Sequence, residues 1–174
     1  RWTVLEETAR PYLDVGFSHW EFVRGKLRWD PVYLDIVRGQ VLPDAGRLVD
    51  LGCGRGILLA LLATDACLER QGRRPAGWSG RPAPRLELVG VERASRALRA
   101  GRVALDGRAT LVEADLRSFS PPPCRVVVLI DVLHYLGPEA QDLLLTRIAD
   151  VLEPEGCVLV REVDADGSFG ALWT

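Results

Sequence analysis

The sequence predicts an α/β chain built on one doubly wound parallel sheet, with helices on both faces and a helical cap at its N-terminal end. Three observations predict it. Strand-like apolar runs alternate with helical segments along most of the chain, the order that a parallel sheet with crossover helices requires. The run Val126-Val127-Val128-Leu129-Ile130 is apolar without alternation, as in a strand buried on both faces. Gly52, Gly54 and Gly56 stand between the apolar residues Leu48, Val49 and Leu51 and the helix-forming run from Ile57 to Ala63, which reads as strand, tight turn, helix.

Composition sets the outer bounds. At 174 residues the chain is long enough for one substantial core and too short for two domains. Apolar residues make up 48% and charged residues 26%, an ordinary globular balance. A net charge of −2 gives no basic field that would hold a nucleic acid backbone. The four cysteines, at 53, 67, 124 and 157, show no C-x-x-C pair, so free thiols are expected rather than a disulfide framework or a metal site. No secretory apolar region opens the chain and no apolar run has the length of a membrane span, so the expected location is cytoplasmic. The sequence starts with Arg1, and it is expected to begin inside a longer protein.

Taken in order, residues 1–13 have Trp2, Leu5, Ala9 and Leu13 near helical spacing, with Pro11 forcing a kink or an early stop. Residues 17–29 are dense in aromatic and basic side chains, and read either as a lid over a ligand pocket or as a small packed cap. Asp30-Pro31 then starts a helix through Tyr33, Ile36, Val37 and Val41. Residues 1–46 are thus a cap or lid and 47–174 the core of a single structural domain. After the first strand and helix, residues 71–85 carry three glycines and three prolines, a surface loop. Strands are expected at 86–92, 109–116, 125–131 and 156–163, and helices at 94–104 and 138–152. The last helix should turn Leu143, Leu144, Ile148, Val151 and Leu152 inward.

The turn at Gly52 to Gly56 places a ligand at the carboxyl end of the first strand, against a helix N-terminus. Its G-x-G-x-G spacing differs from the G-x-G-x-x-G usual for dinucleotides. The second strand ends on Glu92, and a carboxylate there can accept from the two hydroxyls of a ribose. About 20 residues usually separate turn and acid; the loop at 71–85 accounts for the longer distance here. The third strand again ends acidic, at Asp115, whose other reading is a turn or capping residue before Ser118.

The run Val49-Asp50-Leu51-Gly52-Cys53-Gly54-Arg55-Gly56 closely resembles the first motif of class I S-adenosylmethionine-dependent methyltransferases. Glu113-Ala114-Asp115-Leu116 and Asp131-Val132-Leu133-His134-Tyr135-Leu136-Gly137 resemble later motifs of that family, in its small-molecule form. The resemblance covers roughly residues 30–165. It implies a Rossmann-like core and S-adenosylmethionine as cofactor, held by Asp50, Gly52, Cys53, Gly54, Gly56, Glu92, Arg93, Asp115, Leu116 and Asp131. It also implies a small-molecule methyl acceptor near His134 and Tyr135. His134 reads as a proton acceptor or a structural histidine; Tyr135 reads as a substrate-orienting hydroxyl or a packed aromatic. The family usually adds a sixth and a seventh strand, and few residues follow strand five here. The last strands are therefore expected to be missing, through truncation at Thr174 or because a partner chain, such as a second copy, completes the sheet. The rival readings are a non-catalytic cofactor-binding subunit and a nicotinamide dehydrogenase.

Overall fold

The computed structural model describes residues 2–39, 41–78 and 83–162. The expected end of strand five at Val163 and the chain end at Thr174 lie outside the described residues, as does part of the loop at 71–85.

Helix α1 (Trp2–Ala9) gives way to a 3-10 turn at Arg10–Asp14, because Pro11 cannot donate to an α-helical ladder. Helix α2 (Phe17–Trp29) covers the whole aromatic-basic segment and buries Val23 and Leu27, four residues apart on one face. Asp30 accepts a long hydrogen bond from the Val32 N–H at 3.3 Å, at the start of α3 (Val32–Arg38). That helix ends before Val41, earlier than expected. Gly39 closes it by donating to the Asp35 carbonyl, and a glycine inside a helix would cost about 1 kcal/mol.

The core then alternates β1 (Ala45–Leu51), α4 (Ile57–Arg70), β2 (Arg85–Glu92), α5 (Ser95–Leu105), β3 (Thr110–Glu113), β4 (Cys124–Ile130), α6 (Pro138–Val151) and β5 (Leu152–Arg161). The described strands form one parallel sheet in the order β3-β2-β1-β4-β5. Leu51 pairs with Val91 on one side and Leu129 on the other, and Leu129 pairs with Val160. That register brings the residues just beyond them (Gly52, Glu92, Asp131 and Glu162) to one end of the sheet.

Successive residues of each strand enter opposite cores, as strand geometry demands. Leu48, Leu88, Val126 and Val128 pack with α4, α5 and the N-terminal helices. Val49, Leu51, Val91, Val127 and Leu129 pack instead with Leu144 and Ile148 of α6. Each such side chain contributes about 1.5–3 kcal/mol by leaving water. The cap is continuous with the first of these cores, where Val4, Tyr12, Val23 and Leu27 join Leu48 and Leu58.

Three local expectations change. Strand β3 stops at Glu113 rather than 116, because residues 115–119 form a turn on the Asp115 carbonyl. Strand β5 begins at Leu152 rather than at residue 156, and Glu155, at φ 61°, sits where its register with β4 shifts, so residues 153–156 are an irregularity within the strand. Leu143 is 61% exposed, since the inward stripe of α6 is set by Leu144 and Ile148, one turn apart.

Candidate functional site

The carboxyl end of the sheet holds a cleft of about 350 Å³ lined by Gly52, Glu92, Arg93, Ala94, Ala114, Asp115, Leu116, Arg117, Asp131, Val132, Tyr135 and Leu136. Seven of the residues picked from sequence meet there, contributed by the ends of β1, β2, β3 and β4: Gly52, Glu92, Arg93, Asp115, Leu116, Asp131 and Tyr135. The parallel register explains the convergence, since every strand ends at the same level.

The glycine turn is fastened to β2. The Gly52 and Cys53 N–H groups both donate to the Val91 carbonyl, at 2.8 and 3.0 Å. The Gly54 N–H donates to Glu92 Oε2 at 3.2 Å, while Glu92 Oε1 accepts from the Ala94 N–H at 2.8 Å. One carboxylate thus ties the turn of one βα unit to the turn of the next. Gly52 and Gly54 need glycine for different reasons. A Cβ on Gly52 would collide with Val132, whereas one on Gly54, at φ 54°, would meet no protein atom within 4 Å. The space beside Gly54 is left open by the protein. Gly56, at φ 70°, precedes the first turn of α4.

Asp50 and Cys53 lie behind the turn. Asp50 is 4% exposed, and burial, reinforced by the nearby Glu92 charge, pushes its carboxyl up to about 7. Burial also raises the Cys53 thiol, so it is held as an inert neutral group. Asp115 accepts from the Arg117 N–H at 2.9 Å, so it forms the expected turn and lines the cleft as well.

Asp131 has φ 53°, a strained setting for a non-glycine residue. Burial raises its carboxyl, with Arg161 and Lys26 opposing. Arg161 Nη1 approaches Asp131 Oδ1 at 3.0 Å, yet that buried oxygen has no hydrogen-bond partner. Arg161 Nη2 meets Asp30 Oδ2 at 2.6 Å, and Lys26 reaches the same oxygen at 3.2 Å. The α2–α3 junction is therefore bound to the ends of β4 and β5.

Beyond β4, residues 133–135 form one 3-10 turn. His134 is an exposed member of it, its ring centroid 4.0 Å from that of Tyr135. Glu162, at the end of β5, accepts from the Val132 and Leu133 N–H groups at 2.8 and 2.6 Å, and its Oε2 lies 2.8 Å from His134 Nδ1. Sequence reasoning passed over Glu162, Arg161 and the pairing role of Asp30. The signal for Glu162 was present: it is one more acid at the carboxyl end of a strand, as Glu92 is.

The aromatic-basic helix packs on the glycine turn. Arg55 lies over the Phe22 ring at 4.0 Å, and the Tyr12 hydroxyl donates to the Arg55 carbonyl at 2.8 Å. Arg24 pairs with Glu6 at 2.9 Å and lies over the Trp20 ring. All four cysteines are free, and no helix among the described residues is long and apolar enough to cross a membrane.

The model of the methyltransferase domain family matches residues 20–173. The chain is 31% identical over 128 residues to a trans-aconitate 2-methyltransferase of Azoarcus sp., covering 73% of this chain and 43% of that protein. It is 29% identical over 129 residues to a carboxy-S-adenosyl-L-methionine synthase of Chromohalobacter salexigens, covering 74% of this chain and 44% of that one. The chain thus spans less than half the length of the curated relatives it matches. Among solved structures, CalO1, a methyltransferase in calicheamicin biosynthesis in its SAH-bound form, is similar with a TM-score of 0.55 and 26% identity. That match covers 82% of this chain and 39% of the other. With the G-x-G-x-G turn, the acid-ended strands and the 3-2-1-4-5 sheet in place, the chain belongs to the methyltransferase domain family, among the class I S-adenosylmethionine-dependent enzymes.

Proposed function

We propose that this chain binds S-adenosylmethionine at the carboxyl ends of β1 and β2 and transfers its methyl group to a small-molecule acceptor at the turn beyond β4. The observation that carries the reading is Glu92, whose carboxylate stands at the cleft wall, at the tip of β2, fastened to the glycine turn by the Gly54 N–H. Such a carboxylate suits a vicinal diol.

The residues fit the cofactor on three further counts. The space beside Gly54 admits a ligand against the backbone. Asp115 and Leu116 line the cleft next to Glu92, where an adenine would lie beyond its ribose. Asp131, at the end of β4, completes the cleft wall on the side of β1 opposite Glu92. When bound, the cofactor supplies a methyl group on a positively charged sulfur. The chain's own work is to hold the acceptor in line, exclude water and take up a proton. His134 is the residue to take up the proton and Tyr135 to orient the acceptor, while α2 serves as the cover that excludes water. The four free thiols support a cytoplasmic location.

Isothermal titration with S-adenosylhomocysteine and with NAD tests the cofactor assignment. One-to-one binding of S-adenosylhomocysteine with no heat from NAD is expected. Binding of NAD alone would overturn it in favour of a dehydrogenase. Cofactor binding with no transfer to any hydroxyl, amine or carboxylate offered would favour a non-catalytic binding module.

A further inference from the structure

Glu162 places three contacts at one point. Its Oε1 takes the Val132 and Leu133 N–H groups, at 2.8 and 2.6 Å, and its Oε2 faces His134 Nδ1 at 2.8 Å. Val132 belongs to the cleft wall, and so does Tyr135, whose ring centroid lies 4.0 Å from that of His134. The carboxylate that seats the imidazole therefore also fixes the turn that walls the cleft.

A carboxylate only accepts hydrogen bonds, so the nitrogen facing it must carry the proton. Burial works against the charge on Glu162, but the bonds from His134, Leu133 and Val132 hold its carboxyl below the ordinary range, and it faces the imidazole as an anion. Among the described residues, Asp131 also lies near Glu162, and Arg161 Nη1 engages it at 3.0 Å. The Tyr135 ring lies next to the imidazole, centroid to centroid 4.0 Å, with the two planes tilted by 45°. With Nδ1 committed, the imidazole lone pair is left on Nε2.

We propose that Glu162 is a positioning residue that fixes His134 in its Nδ1–H form, so that Nε2 takes the proton of a methyl acceptor bearing one on its nucleophilic atom, a hydroxyl or an amine. The inference rests on the methyltransferase reading above and narrows its substrate class. The acceptor's lone pair forms the new bond to the methyl carbon, the carbon–sulfur bond breaks with its pair returning to sulfur, and the acceptor's proton passes to Nε2. The imidazolium so formed is paired with Glu162. An acceptor that is already an anion, such as a carboxylate, has no proton to give, and this pair would do nothing for it.

The test is nitrogen-15 NMR of the imidazoles in the protein saturated with S-adenosylhomocysteine, for wild type and Glu162→Gln. The wild-type spectrum decides the tautomer with no variant needed: Nδ1–H for His134 is expected, and Nε2–H overturns the proposal. In Glu162→Gln, whose amide oxygen can still accept from the two backbone N–H groups, the Nδ1–H preference of His134 should be lost or weakened. An unchanged tautomer overturns the positioning role. S-adenosylhomocysteine affinity should stay within about twofold of wild type; failure of wild type to bind it would instead reject the cofactor reading. Methyl transfer from S-adenosylmethionine to phenols, primary amines and carboxylic acids is then compared. Turnover of phenols or amines that falls tenfold or more in Glu162→Gln, with a displaced acidic limb, is expected. Turnover of carboxylic acids that ignores the substitution overturns the acceptor class.

Discussion

Arg161 Nη2 lies 2.6 Å from Asp30 Oδ2, joining the last residue of β5 to the junction of α2 and α3. Both side chains are mostly buried, and Lys26 and Asp131 complete the cluster. It holds the N-terminal helices to the end of the sheet where the cleft opens. Asp30→Ala should lower unfolding stability by about 1–3 kcal/mol, the scale of charge-assisted hydrogen bonds, measured by urea denaturation. A variant as stable as wild type would show that the apolar contacts of α2 hold the cap alone.

Glu92→Ala should weaken S-adenosylhomocysteine binding by about 1.5–3 kcal/mol, because the proposed reading assigns both ribose acceptors to this carboxylate. The same change frees the Gly54 and Ala94 N–H groups, so circular dichroism must accompany the titration. Unchanged affinity in a folded variant would move the ribose elsewhere.

Gly54→Ala meets no protein atom, so its cost to folding is that of a left-handed conformation, about 1–2 kcal/mol. Its cost to S-adenosylhomocysteine binding should be larger, since the new methyl enters the open space that the proposed reading gives to the ligand. Calorimetry on the folded variant checks this. Equal affinity would make the turn a purely structural one.

Asp50 gives stability a pH dependence of definite sign. Its carboxyl titrates at about 7 in the fold against 3.8 ordinarily, so the folded state holds the proton more tightly than the unfolded chain. The stability it contributes is complete below about pH 4 and is lost as pH rises through about 7. Asp50→Asn should remove that fall, leaving the variant more stable relative to wild type at pH 8 than at pH 5. Denaturation midpoints at the two pH values measure it, and parallel curves would place the carboxyl in its ordinary range.

Trp20 packs on the core beside the Arg24 guanidinium, on the helix whose Phe22 underlies Arg55 of the glycine turn. Filling the cleft should therefore alter tryptophan emission, and Trp20→Phe should remove most of the change. A fluorescence titration with S-adenosylhomocysteine decides it. No change in wild type would leave α2 as a packed cap with no link to the ligand.

What the sequence determined was the backbone plan. Strands and helices are written in local terms: unbroken Val and Leu runs, glycines where φ turns positive, and Pro11 and Pro138 where helices break or begin. The acids at strand ends were legible for the same reason, since a parallel strand has one carboxyl end and the residue there is known once the strand is known. Tertiary structure decided which side chains meet. Glu162 lies 28 residues from His134 and Arg161 lies 131 from Asp30, and neither pairing has a local signature. The first exists because β5 lies beside β4 in register, which brings residue 162 level with the turn beyond Ile130; the second needs, in addition, the N-terminal helices packed at that end of the sheet. The acidity of Asp50 was likewise invisible in the chain, because it depends on water excluded by elements distant in sequence.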